Sequence, residues 1–122
     1  MDARIRVIGG DEVRETAELW DWLRRERALA GLVRAVPTPP ADGELGGVTQ
    51  VLEVALGAGG AGAVVARALA VWLRTRRSDV TAEVTTRHRR VRVTATQVRS
   101  EDVVPLLAEV LGEDDDETGP RP

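Results

Sequence analysis

Four glycines fall within six residues of a long apolar segment, and no regular element accepts them without a structural reason. Residues 51–77 read VLEVALGAGGAGAVVARALAVWLRTRR, where Gly57, Gly59 and Gly62 form a G-x-G-x-x-G pattern and Gly60 lies between them. In a single soluble helix these glycines would cost roughly 3–4 kcal/mol relative to alanine, so a bend or a closely packed neighbour is required. Three arrangements meet that requirement: a phosphate turn between strand and helix, a close helix contact in protein or lipid, or a joint between two helices.

The dinucleotide arrangement would make VLEVAL a strand, GAGGAG the turn and DVTAEVT the next strand, with a pyrophosphate at the helix start near Ala63. The carboxylate that would hold the ribose belongs at the end of the second strand, where Thr85, Thr86 and Arg87 stand instead, and Asp79 and Glu83 come too early. Glu53 would also place a charge in a parallel strand buried on both faces. No cofactor is therefore expected. In the membrane arrangement, residues 54–73 hold Arg67 as their only charge. That arginine costs about 2.5–3.5 kcal/mol, roughly what six or seven leucines or valines return, so insertion is marginal and membrane association is kept as an alternative. The reading favoured here is a helix over about 47–56, a glycine bend, and a second helix to about Arg77 burying Val64, Val65, Ala68, Leu69 and Trp72.

Residues 3–8 alternate charged and apolar side chains as a half-buried strand does. Asp11 is placed to cap a helix over about 12–28, with Val13, Ala17, Trp20 and Leu23 as its apolar stripe. A short strand fits within 29–36, a Pro/Gly-rich loop within 37–47, and a hairpin over 79–86 and 90–98. Ser100 is read as the cap of a last helix over 101–111. With 122 residues there is room for one domain, here 1–112, followed by an acidic tail at 113–122 that is expected to be disordered. The fold class is α+β in the order β-α-β-α-β-β-α, with a long Gly/Ala-rich central helix on a small sheet. A faint internal echo places Trp-Leu-Arg at 22–24 and again at 72–74.

Catalytic chemistry is poorly supplied. The chain has no Cys, Lys or Tyr, its single His88 sits between two arginines in a turn, and no carboxylate set is spaced for a metal. No enzyme and no metal site are expected. Arg87, Arg89, Arg90 and Arg92 together with Arg74, Arg76 and Arg77 suggest a basic patch, in which Arg90 and Arg92 share a strand face that Asp79 and Glu83 are placed to neutralise; three tryptophans and no Phe or Tyr supply few stacking platforms, so no nucleic-acid partner is expected. The absence of cysteine and of an export signal points to the cytoplasm, with peripheral membrane contact left open.

Three stretches carry a family resemblance: Asp42-Gly43-Glu44-Leu45-Gly46, the ALGAGG turn at 55–60, and WLRTRRSDV at 72–80, supported by ELWDWLRRERALAGLV and the closing LLAEVL. Up to Gly112 the chain resembles the effector-associated constant component family of actinobacterial conflict systems. The resemblance implies a small non-enzymatic adaptor or sensor in bacterial immunity. Its partner would be a variable effector encoded nearby, such as a caspase-like or trypsin-like peptidase. It supplies no catalytic residues. The candidate interaction surface, for a partner or for homo-oligomerisation, is Gly57, Gly59, Gly60 and Gly62 with Trp72, Arg74, Arg76 and Arg77, because glycines there are costly unless something approaches closely.

Overall fold

A computed structural model describes residues 2–38, 49–57 and 60–112. The first strand, β1 (Asp2–Ile8), keeps the expected alternation: Ala3, Ile5 and Val7 are buried, while Asp2 and Arg4 are exposed. Gly9 and Gly10, both at positive φ, turn the chain into α1 (Glu12–Arg24). Asp11 caps this helix by accepting a hydrogen bond from the Arg14 N–H at 3.2 Å. The helix ends four residues before the expected limit and is followed by a short 3₁₀ turn at Arg27–Leu29. Its buried stripe is Thr16, Leu19 and Leu23, with Trp20 partly buried; Val13 and Ala17, expected inside, face solvent. The expected stripe was displaced by about one position on the helix wheel because Leu19, not Ala17, offers the larger apolar surface to bury.

The chain then forms β2 (Val33–Thr38) and β3 (Thr49–Ala55). The helix expected over 47–56 is therefore a strand. β-Branched Val51 and Val54 suit a pleated surface, and the glycines that follow would have weakened a helix at its end. Next come α2 (Ala61–Arg74), β4 (Thr81–Thr85), β5 (Arg90–Thr94), α3 (Ala95–Ser100) and α4 (Val104–Leu111). Residues 95–98, expected to continue a strand, instead open α3. Thr94 and Gln97 form a reciprocal cap there, with the Gln97 N–H donating to Thr94 Oγ1 at 3.0 Å and the Thr94 N–H to Gln97 Oε1 at 2.9 Å. Ser100 closes that helix rather than capping the last one, where Asp102 Oδ1 accepts from the Val104 N–H and Pro105 lies in the first turn.

The five strands form one antiparallel sheet in the order β2-β3-β1-β4-β5. Omitting β5, the path β1-α1-β2-β3-α2-β4 is two interleaved β-α-β units, each with a strand of the other between its own two, as in ferredoxin-like folds. The Trp-Leu-Arg echo now has a place: α1 ends on Trp22-Leu23-Arg24 and α2 on Trp72-Leu73-Arg74, equivalent positions in the two units. Both leucines are fully buried, and the Trp22 Nε1–H donates to the Ala68 carbonyl at 2.9 Å, tying the helices together.

One face of the sheet is the core. Ile5, Leu52, Val54, Ala82, Val84 and Val93 pack with Leu19 and Leu23 of α1, Val65 and Leu69 of α2, and Leu107 of α4. The central helix spans 14 residues, and residues 54–73 divide between the end of β3, the glycine segment and α2. Among the described residues no helix is long and apolar enough to cross a membrane. The apolar side of α2 that a membrane would have taken is spent on the core, where Val65, Ala66, Leu69 and Leu73 are fully buried.

Candidate interaction surface

The described glycines of the pattern stand in three different settings. Gly57 follows β3 in open space, Gly60 caps α2 in the left-handed region at φ 84°, and Gly59 lies outside the described residues. Gly62 is committed inside the domain: a Cβ there would stand 2.9 Å from the carbonyl oxygen of Leu111, at the end of α4. The closeness that glycine permits is thus used by the chain's own last helix, at the spot where a phosphate turn would need room. Trp72 lies ten residues further along α2, about 15 Å away at 1.5 Å per residue. It is buried at the α1–α2 end of the domain, with the Arg76 guanidinium 4.8 Å above its ring centroid. Arg76 also reaches Glu15 at 3.1 Å and Glu18, so it braces α1 against α2, whereas Arg74 and Arg77 are exposed.

The opposite face of the sheet presents a different surface. Residues directly opposite each other in a sheet share a side, and two rows of charge result. Arg34 on β2, Glu53 on β3 and Arg4 on β1 stand in register, as do Arg6 on β1, Glu83 on β4 and Arg92 on β5. Glu53, read from sequence as an unwelcome buried charge, sits between two arginines. Arg34 donates to its Oε1 from Nε at 3.2 Å and Nη2 at 2.9 Å, and Arg4 to its Oε2 from Nε at 3.1 Å. Only 9% of the Glu53 side chain is exposed, against 62% and 74% of the Arg4 and Arg34 side chains. Glu83 accepts from Arg92 Nε at 2.8 Å, the neutralisation expected of it, while Asp79 lies outside the strands. Arg90 shares this face opposite Thr85. Sequence reasoning reached Arg90 and Arg92 but not Arg4, Arg6 and Arg34, because the strand order that unites them is not a local property.

Hydrogen bonds from Arg34, opposed by burial and aided by Arg4, hold the Glu53 carboxyl below its ordinary range. Arg76 and Arg14 do the same for Glu18. A carboxyl depressed in the folded state contributes stability above its unfolded pKa and loses it as the pH falls through the lower folded value. Glu53→Gln should therefore flatten the fall in urea midpoint between neutral pH and pH 3. A wild-type dependence unchanged by the substitution would show that the row is not coupled to folding. The exposed arginines make this contribution sensitive to salt.

The described residues form a small domain of ferredoxin-like topology, with helices on one side of its sheet and a charged face on the other. The chain belongs to the Effector Associated Constant Component 1 family, which matches it over residues 8–111. No curated protein and no solved structure matches it.

Proposed function

We propose that this protein is the non-enzymatic interaction component of a bacterial conflict system, an adaptor or sensor that engages a variable effector through the open face of its sheet. One observation carries the choice of surface: five arginines, two glutamates and Asp2 occupy a sheet face that, among the described residues, none of the core helices packs against. Charge patterns of this kind set partner choice and association rate more than raw affinity. An effector such as a caspase-like or trypsin-like peptidase would meet this face with an acidic patch. In this reading Gly62 and Trp72 serve the architecture of the domain, Gly62 through Leu111 and Trp72 through Arg76.

Co-expression of the full chain with the product of the neighbouring effector gene tests the reading. A complex that co-elutes in size exclusion at moderate salt and separates as salt rises is expected. Independent elution of the two proteins at every salt concentration would refute it.

A further inference from the structure

The open sheet face carries more positive charge than its own carboxylates balance. Near its middle the Nε–H of Arg6 is buried without a hydrogen-bond partner. A buried donor in that condition is costly. The chain itself holds a run of acceptors: after Gly112 the sequence continues Glu113-Asp114-Asp115-Asp116-Glu117, five consecutive carboxylates.

The last helix delivers that run to the appropriate end of the sheet. Leu111 packs on Gly62 at the start of α2, shortly after β3 ends at Ala55. Glu109 pairs at 3.0 Å with Arg89, in the turn between β4 and β5. Arg4 and Arg90 flank Thr85 at this same end, on the open face. Ten residues reach at most about 35 Å when extended, and five strands at about 4.8 Å spacing span about 19 Å between the outer pair. The acidic run can therefore cross the face while still attached.

Spacing and chemistry agree with a carboxylate ligand. In an extended segment, side chains on one side recur about every 6.8 Å, which is also the spacing of Arg4 from Arg6 and of Arg90 from Arg92 along their strands. The tryptophans sit on α1 and α2, so the face offers no ring on which a nucleic-acid base would stack.

We propose that the acidic run 113–117 docks on the open arginine face of its own domain and acts there as a tethered competitor of acidic partner surfaces. Attachment gives it an effective concentration in the mM range. Each exposed ion pair is individually weak, and screening acts over a Debye length of about 8 Å at 0.15 M salt, so the cover is displaceable. Docking itself does not rest on the effector reading; only its consequence for partner binding does.

The chain lacks cysteine, so Thr118→Cys in the full-length protein takes a single nitroxide. At low salt, paramagnetic broadening should concentrate on the amides of Arg4, Arg6, Arg90 and Arg92 and stay near background at Val13 and Arg67 on the helices. It should be lost in high salt, and lost when Glu113→Gln, Asp114→Asn, Asp115→Asn, Asp116→Asn and Glu117→Gln are combined. Broadening centred on the helices, or unchanged by neutralising the run, would overturn the proposal. So would equal broadening in a mixed sample where the label and the observed amides are on different copies. An effector that fails to bind while the broadening is present removes the effector reading and leaves the docking intact.

Discussion

Gly9→Ala should destabilise the domain by about 3 kcal/mol or more, the largest loss expected of any one-methyl change. Gly9 turns the chain out of β1 at φ 93°, a conformation that costs an L-residue on the order of 1–2 kcal/mol. Sterics add to this, because the new Cβ would stand 2.1 Å from the Asp79 carbonyl oxygen and 3.1 Å from its carbon. These are backbone atoms beside Val80, which is itself fully buried at the entrance to β4. Relief would thus require β1 and the approach to β4 to separate. In a domain of this size the loss corresponds to a fall in Tm of roughly 12–24 °C. A melting curve within a few degrees of wild type would mean that the β1–α1 turn is not held as described.

Gly62→Leu is the second large effect, and its sign separates two accounts of the glycine segment. If glycine were there for a second molecule, the variant would lose association and keep its stability. The packing of Gly62 on the Leu111 backbone predicts the reverse: a side chain at 62 displaces α4, whose Leu107 and Leu111 are buried in the core. A loss of about 2–4 kcal/mol is expected, comparable to truncating a core leucine, together with faster amide exchange in α4. A variant as stable as wild type but changed in mass by light scattering would restore the association account. Gly57→Ala, in open space, should change little.

The parts of the fold that could be read from sequence are those fixed by local chemistry. The alternation of Ala3, Ile5 and Val7, the Asp11 cap and the hairpin around the Thr86–Arg89 turn depend on neighbours within a few residues. β3 was hidden because its outward positions hold apolar Val51 as well as charged Glu53, so apolar and polar residues do not alternate cleanly along it. Glu53 makes sense only once Arg34 and Arg4 lie across it from strands 19 and 49 residues away in the chain. α3 has a local signal, since Thr94-x-x-Gln97 is a capping box, but it falls at the end of a run that alternates as a strand does. The candidate site was half visible. Arg90 and Arg92 share a face by alternation alone, but joining them to Arg6, Arg4 and Arg34 requires β1 to lie between β3 and β4.

The crossing of the two β-α-β units also explains why the open face is polar while so little of the sheet is exposed on its other side. Both crossover helices pack on the same side, and α4 closes against α2 there, so among the described residues no helix covers the arginine rows. That asymmetry is the basis for assigning partner recognition to the sheet. The most direct measurement is the affinity of the full chain for the neighbouring effector, by calorimetry, for wild type, for Arg90→Glu combined with Arg92→Gln, and for Arg67→Glu on the exposed side of α2. The sheet-face variant is expected to bind at least about tenfold more weakly, or about 1.4 kcal/mol, while Arg67→Glu leaves binding unchanged. Wild-type affinity in the sheet-face variant, with binding lost in Arg67→Glu, would contradict the assignment to the sheet.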